Sequence, residues 1–468
     1  MKGDDHMDTS LQKSPAAPET DNGTTFAQGE KTLRILGKEE LDWYIIRTAD
    51  TLVYDKQLFR KFDGVMHMLN GIVYRPLDED SFCNLAYQYA LSENIILKPN
   101  HCRQLLESVL IRVRESPCGP DSEDYTVFKN GLISNRNGMP LQVIPSDYFA
   151  TIYVNANYLP DRQLYHPTAD AFLAIISGGD PELIARHWEF WGYVLSSDYH
   201  AKAIFSLFGE TGNNGKSTEL SFLRTFLPGA VDSMPIKTMT SRFGRHRIQH
   251  CRLEYSADEG AVNLSSESIG FLKSASGFDD MTADRKNREM VQFTCKCKIA
   301  IASNYNIGMA YAAVDQAFVR RLVTIPYPYS IPKEQQDPMI LQKLLREKDA
   351  VATEAFRYYL RLKANNYQFT GHDRFDQLQT ILTSPVNTEY NAVRDFSQTY
   401  CDFTDQSAFT TSQELFEAFT AHYQTSICDT TGFSQAFRLV NQDRIQSKRQ
   451  HTSSYNLRGF TGVKLLMP

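Results

Sequence analysis

One stretch of the sequence, residues 202–218, constrains the fold of this chain more than any other. It consists of KAIFSLFGETGNNGKST, an apolar run followed by a glycine-rich loop and a helix start. The glycines let successive backbone N–H groups point at phosphate oxygens, Lys216 adds a point charge for the β- and γ-phosphates, and Ser217 can bind Mg²⁺. The N-terminus of the helix adds the positive end of its dipole. The stretch therefore predicts a strand, a loop and a helix that together hold a triphosphate.

The spacing of this loop differs by one residue from the usual pattern of glycine, four residues, then Gly-Lys-Ser/Thr. Glu210 stands where the first glycine is expected, and Gly209 stands one position earlier. We expect a loop that is one residue longer at its entry. An ordinary strand–loop–helix is the alternative, but the apolar strand and two asparagines favour nucleotide binding. The predicted nucleotide-binding residues are Gly209, Glu210, Thr211, Gly212, Asn213, Asn214, Gly215, Lys216, Ser217 and Thr218.

The composition indicates a large globular protein with a polar tail. The chain has 468 residues, which suggests about three domains, and 42% of the residues are hydrophobic. Residues 1–30 have no apolar periodicity, so we expect a disordered tail rather than a signal peptide. No apolar run approaches the roughly 18 residues that a membrane span requires. We therefore expect a soluble, intracellular protein that has no membrane partner.

Cysteine usage and charge narrow the class further. Eight cysteines are scattered without a Cys-x-x-Cys pair, which argues against a zinc ribbon or a disulfide framework. Cys295 and Cys297 alternate as in a strand, and burial is favoured over metal binding. The net charge is −6, yet basic residues cluster in 237–252, 285–298 and 438–458. Such clusters can hold phosphates, although each one alone can equally be a solvated face.

The pattern along the chain predicts an α/β fold with a parallel sheet. Short apolar strands alternate with amphipathic segments between 202 and 327, as parallel sheets require. The predicted strands are Ala203–Phe208, Arg252–Ser256, Lys298–Ser303 and Leu322–Ile325. The predicted divisions are 1–30 (tail), 31–125 (N-terminal domain of unknown role), 126–200 (helical region), 201–330 (ATPase core), 331–390 (helical connector) and 391–468 (small C-terminal domain).

Hydrolysis needs more than a phosphate loop, and three further motifs supply candidates. Asp258 and Glu259 lie just beyond a predicted strand, so Asp258 would hold Mg²⁺ and Glu259 would polarise the attacking water. A surface Asp-Glu pair is the alternative. Asn304 ends the next strand and can sense the γ-phosphate. Arg320 and Arg321 precede another strand, where an arginine can reach a neighbouring subunit's nucleotide or simply form a surface salt bridge.

Taken in order, these motifs resemble those of superfamily 3 helicases of the AAA+ class, especially the helicase part of poxvirus-type and satellite-phage primase–helicases. The motifs are Gly-Asn-Asn-Gly-Lys-Ser-Thr (212–218), Asp-Glu (258–259), Ser-Asn (303–304) and Arg-Arg-Leu-Val-Thr-Ile-Pro (320–326). The resemblance implies a P-loop AAA+ core that uses ATP and Mg²⁺ and assembles as a homohexamer. It also implies a collar-like region at 126–200 and a winged-helix-like domain at 391–468. No primase module is evident, so a primase or polymerase would be a separate partner.

Residues 283–292 are similar to a hairpin of the papillomavirus replicative helicase. In that family a lysine and a histidine at the hairpin tip grip DNA inside the ring. The lysine corresponds to Lys286, and Asn287 stands at the histidine position, flanked by Arg285 and Arg288. Lys273, and with it Lys202, correspond to basic residues that touch the neighbour's nucleotide.

The sequence as a whole thus predicts an ATP-dependent replicative DNA helicase of a virus, phage or mobile element. It would bind single-stranded and forked DNA in the host cytoplasm or at a viral replication site. Two alternatives stay open. One is an origin-binding or loading ATPase without processive unwinding, and the other is a non-catalytic DNA-binding scaffold. An unwinding assay on a forked substrate and the DNA-stimulated release of phosphate separate the three.

Overall fold

The computed structural model describes residues 33–117, 119–259, 263–284, 290–304, 308–309, 316–376, 388–423, 430–441, 444–451 and 456–466. The chain divides into two compact units, Met1–Ile133 with Pro140–Tyr153 and Ser134–Met139 with Val154–Pro468. Among the described helices, none is long and apolar enough to cross a membrane. The predicted disordered tail, residues 1–30, lies outside the described residues.

Helices and an antiparallel three-stranded sheet make up the first unit. Asp78 caps the second helix by accepting a hydrogen bond from Ser81 N at 2.8 Å. Side chains of all three helices meet in one core, among them Ala49, Phe82 and Leu105, which are fully buried. The elements are α1 (Lys38–Asp50), a π-helical turn (Thr51–Asp55), β1 (Phe59–Phe62), β2 (Val65–Asn70), β3 (Val73–Pro76), α2 (Glu79–Ser92), α3 (Pro99–Arg112), β4 (Tyr125–Phe128) and β5 (Gly131–Ser134).

The second unit begins as an alternation of helices and strands. Its elements up to residue 364 are α4 (Pro167–Ile176), α5 (Pro181–Leu195), β6 (Ile204–Phe208), α6 (Lys216–Phe226), β7 (Val231–Ser233), α7 (Ile236–Met239), α8 (Arg242–Ile248), β8 (Leu253–Glu259), β9 (Asn263–Leu264), α9 (Ser266–Gly277), β10 (Asp280–Ala283), β11 (Val291–Thr294), β12 (Lys298–Ser303), β13 (Gly308–Met309), α10 (Gln316–Val319), β14 (Leu322–Pro326), a 3₁₀ turn (Lys333–Gln335), α11 (Ile340–Arg346) and α12 (Lys348–Ala364).

A five-stranded parallel sheet forms the centre of this unit. Its spatial order is β14, β6, β12, β8, β7, which confirms the predicted parallel α/β sheet. Every residue of β12 is buried, as expected for a central strand with both faces covered. The three-residue edge strand β7 is too short to show a pattern, and the sequence did not reveal it.

Helix α5 packs against helix α12 next to the sheet. Asp180 caps its start and accepts from Glu182 N at 3.0 Å, as the Asp-Pro sequence predicts. The helix packs closely against α12 because Gly192 has no side chain. An added Cβ at Gly192 would lie 1.9 Å from Ala355 O. α5 and α12 therefore form a rigid support beneath the sheet.

The C-terminal part of the second unit has its own apolar core, centred on Phe396, Phe433 and Phe437. This part contains both helices and strands. They are α13 (Thr388–Tyr400), β15 (Cys401–Asp402), β16 (Phe409–Thr411), α14 (Ser412–His422), α15 (Thr430–Val440), β17 (Gln446–His451), β18 (Asn456–Thr461) and β19 (Lys464–Leu465). In the sheet of order β16, β18, β17, Arg449 is directly opposite Arg458, and both are exposed.

The two neighbouring cysteines are buried, as expected, but their predicted strand is wrong. Cys295 is fully buried and Cys297 is 4% exposed. Both lie in the short connection between β11 and β12 rather than in a strand. Burial raises the pKa of both thiols, so they behave as small apolar side chains.

Candidate functional site

The predicted strand, loop and helix are present at 204–226. β6 ends at Phe208 and α6 begins at Lys216. Gly215 caps the helix with φ 93°, in the left-handed region that glycine tolerates. An added Cβ at Gly215 would lie 2.5 Å from Ile176 Cγ2. Both backbone conformation and close packing therefore require glycine at this position.

The entry of the loop accommodates its extra residue. An added Cβ at Gly209 would lie 2.3 Å from Asn214 Nδ2, so the Asn214 side chain packs directly against that glycine. Asn214 closes the loop by donating to Thr211 O at 2.6 Å. The Glu210 side chain is exposed. Its carboxylate has no hydrogen bond or ion pair with any residue that the structure describes. No such contact therefore holds the carboxylate inside the phosphate loop.

Lys216 and Asn304 lie together at the carboxyl edge of the sheet. Lys216 is only 7% exposed, and its Nζ donates to Asn304 Oδ1 at 2.9 Å and to Gly209 O at 3.3 Å. The ammonium also lies 5.7 Å from the centre of the Tyr327 ring. Ser217 in the first turn of α6 is exposed. A cation, an amide and a hydroxyl thus line the start of the helix.

The acidic pair lies at the same edge. In the register of the parallel strands, Glu259 pairs with Ser303, and Ser303 pairs with Phe208. The backbone of Asp258 and Glu259 therefore ends β8 level with the start of the phosphate loop. Only the backbone of these two residues is described, so their side-chain roles stay predictions.

Three other predicted charged residues, Lys202, Arg320 and Arg321, lie at the opposite, amino edge of the sheet. Ile204 N donates to Arg321 O at 2.7 Å, which places both arginines at the start of β14 and β6. Lys202 precedes β6 directly and is exposed. Five strand residues separate this edge from the phosphate loop, which corresponds to about 16 Å. These residues therefore lie too far from the loop of their own chain to touch a phosphate bound there.

Lys273 lies in the helix that ends at this edge. The Phe278 ring, directly after α9, lies 4.0 Å from the Tyr199 ring, and Tyr199 precedes β6. This contact places the C-terminal end of α9 at the amino edge. Lys273 lies in the last two turns of α9 and is half-buried.

The two arginines differ in their surroundings. Arg320 is exposed. Arg321 is half-buried, and its Nη1 donates to Ala317 O at 2.7 Å. Its buried Nε has no hydrogen-bond partner among the described residues. Arg320 is thus the more available of the two for another molecule.

The strands that flank the predicted DNA-binding hairpin are present. β10 pairs with β11 in antiparallel register, with Ala283 opposite Val291. The predicted contact residues Arg285, Lys286, Asn287 and Arg288 lie outside the described residues.

A buried carboxylate beside the phosphate loop was not predicted. Glu219, one turn into α6, is fully buried and lies with its Oε1 2.9 Å from His187 Nδ1. Trp191 Nε1 and the Tyr327 hydroxyl also donate to it. The one available signal was an acid on the apolar face of a predicted helix, next to the lysine. Glu219 ties α5, α6 and the end of β14 together beneath Lys216.

Comparison with known proteins supports the fold and leaves the activity open. A model for DUF5906, a family of unknown function, matches residues 207–321, less than half of the chain. No curated protein matches the sequence. Two apo structures of the NrS-1 C-terminal region have a similar fold. One has a TM-score of 0.51 and 10% identity and covers 91% of this chain and 100% of that chain. The other has a TM-score of 0.51 and 10% identity, with 88% and 98% covered.

One further group of potential metal ligands lies at the edge of the sheet. The ligand atoms of Asp232, Cys251 and Glu254 lie within 4.8 Å of one another. Asp232 already has partners on both oxygens, since Arg247 pairs with one and Ser233 N donates to the other at 2.8 Å. We therefore assign no metal to this cluster. Glu254 is fully buried, and neither oxygen has a hydrogen-bond donor of ordinary geometry among the described residues.

Glu254 makes stability depend on pH. Burial, and then the negative charge of Asp232, raise its pKa from 4.5 to about 7. The folded protein therefore holds a proton that the unfolded chain releases, so stability falls as the pH rises between these values. At about 1.4 kcal/mol per pKa unit, the ionised carboxylate destabilises the fold by roughly 3 kcal/mol above pH 7.

Replacing Glu254 by glutamine is expected to remove this loss. The gain in free energy of unfolding over the wild type should be larger at pH 8 than at pH 5 by roughly 2–3 kcal/mol, as measured by urea unfolding at both values. Glu210→Gln, which changes an exposed carboxylate, is the matched control and should show no such difference. A gain from Glu254→Gln that is equal at both pH values would contradict the assignment.

Proposed function

We propose that this chain is an ATP-dependent replicative DNA helicase of a virus, phage or mobile element. It acts as a ring, with six copies as the proposed number, and moves along single-stranded DNA. One observation carries the proposal, namely the separation of the charged residues between two edges of the parallel sheet. Lys216 and Asn304 lie at the phosphate loop, whereas Arg320 lies about 16 Å away at the opposite edge, where the helix that carries Lys273 ends. Two such edges complete one site only when neighbouring copies meet.

The residues at the carboxyl edge fit a triphosphate with Mg²⁺. The left-handed Gly215, the start of α6 that it caps and the ammonium of Lys216 are features that bind phosphate oxygens. Ser217 and Asp258 would hold the metal ion, which neutralises charge on the β- and γ-phosphates. Glu259 would orient the attacking water from the end of the neighbouring strand. Asn304, which now accepts from Lys216, would respond to the γ-phosphate.

Two surfaces support DNA as the partner. The strands β10 and β11 pair, and the sequence between them includes the four candidate DNA-binding residues, 285–288. This hairpin would draw one DNA strand through the ring. In the C-terminal part, Arg449 and Arg458 are exposed directly opposite each other, which disfavours the fold unless a polyanion is bound. That sheet would contact the duplex part of a forked substrate. A separate primase or polymerase would complete the replication machinery.

The Lys216→Ala variant tests the proposal. We expect DNA-stimulated phosphate release to fall about 10²–10³-fold, as for loss of one preorganised charge-stabilising donor, and unwinding of forked DNA to disappear. Binding of single-stranded DNA should persist. Lys38→Ala, which removes an exposed lysine of the first unit, is the control and should leave both activities unchanged.

The outcomes separate the rival functions. Wild-type protein that hydrolyses ATP and never unwinds a fork would be a loading ATPase. Phosphate release that is absent from the wild type, with DNA binding intact, would mean a scaffold and would contradict the proposal.

A further inference from the structure

The phosphate loop lies between two other segments of the second unit. On one side, Gly215 packs against Ile176 at the end of α4. On the other side, Ser330 Oγ donates to Gly212 O at 2.9 Å and Ile331 N donates to Asn213 O at 2.8 Å. The segment 327–331 and the end of α4 therefore flank the place where a triphosphate would lie.

Tyr329 bridges these two flanking segments. Its ring rests on the backbone of Gly178, directly after α4, where an added Cβ would lie 1.9 Å from Tyr329 Cε2. Gly178 has φ +61°, so a side chain is disfavoured there on both counts. The side chain is otherwise accessible, since Tyr329 is 58% exposed. An aromatic ring next to a phosphate loop, supported by backbone and open to solvent, has the form of a stacking surface.

We propose that Tyr329 is the stacking platform for the base of the nucleoside triphosphate. This inference rests on the proposed function, because it requires a nucleotide in the loop. The phosphate loop would bind the triphosphate of such a ligand, and the neighbouring aromatic ring would bind its base. Every base has a π-face, so the platform favours ligands with a base over bare triphosphate and chooses weakly among bases.

Calorimetric titration of the full chain with Mg²⁺ and either ATP or inorganic triphosphate tests this. Wild-type protein is expected to bind ATP about tenfold more tightly than the bare triphosphate, the range that one stacked base supplies. Tyr329→Ala should lose that advantage and bind triphosphate as the wild type does. Tyr329→Trp should retain it. Tyr165→Ala is the control, since Tyr165 is 79% exposed near the other end of α4.

The possible results distinguish failure of the stacking platform from failure of the proposed function. If Tyr329→Ala weakens both ligands equally, the side chain supports the loop and the platform is wrong. If it weakens neither, the base lies elsewhere, while the phosphate loop and the proposed function stand. If the wild type binds neither ligand, the proposed function fails and the platform fails with it.

Discussion

Arg320→Ala protein is expected to bind ATP normally and to turn it over about 10³–10⁵-fold more slowly, the range known for loss of an arginine that stabilises the transferring phosphoryl group. The loss of turnover is expected because of where Arg320 lies. Arg320 lies about 16 Å from the phosphate loop of its own chain, so it can contact a phosphate only on a neighbouring copy. Phosphate release and nucleotide binding, measured on the same preparation, separate loss of chemistry from loss of affinity.

Arg321 is the matched control for this prediction. Its guanidinium donates to Ala317 O of its own chain, so Arg321→Ala is expected to lower stability more than turnover. Arg320→Lys keeps the charge and loses the planar fork of donors, and we expect it to recover only part of the rate. If Arg321→Ala has the larger effect on turnover, the assignment of the two arginines is reversed.

Mixing two inactive variants tests whether the site is shared between copies. In the proposed ring, Arg320→Ala and Glu259→Gln subunits together would create some interfaces in which both residues are wild type. Those interfaces should restore a fraction of ATP turnover that varies with the mixing ratio. Activity that stays absent at every ratio would contradict an arginine acting on a neighbour.

Local patterns predicted the central sheet because its strands are apolar and bounded by clear turns. The order of motifs along the chain then placed Lys216 and Asn304 at one edge, since parallel strands end on the same side. The observed 2.9 Å contact between their side chains agrees with that inference. Residues directly after a parallel strand could therefore be located from the sequence, while β7, with three residues, gave no usable signal.

The sequence could not reveal contacts that join distant segments. Nothing in the Arg320-Arg321 pair shows that one guanidinium is exposed and the other bonded to Ala317 O, because this depends on the turn after α10. The partners of Glu219 come from a helix about thirty residues earlier and from the residue after β14, so no local pattern encodes them. The position of the Tyr329 ring could not be predicted for the same reason, since Gly178, on which it rests, belongs to another segment.

Replacing Glu219 by alanine is expected to destabilise the protein by roughly 3–9 kcal/mol. The variant would leave three buried donors, Trp191 Nε1, the Tyr327 hydroxyl and His187 Nδ1, without their acceptor, and each such loss costs about 1–3 kcal/mol. Denaturant unfolding of the full chain measures the change. Glu219→Gln keeps one acceptor oxygen at nearly the same volume and should lose less. Equal stability of the alanine variant and the wild type would contradict a structural role for the carboxylate.

The same carboxylate reaches the phosphate loop through Tyr327. Its hydroxyl donates to Glu219, its ring lies beneath Lys216, and its backbone N donates to Phe208 O at 2.6 Å. Loss of the acceptor frees this ring, so the folded Glu219→Gln protein should also bind ATP more weakly. Tyr327→Phe, which removes only the hydroxyl, should reproduce the weaker binding if the effect passes through that hydrogen bond. Normal binding by both variants would confine Glu219 to a role in stability.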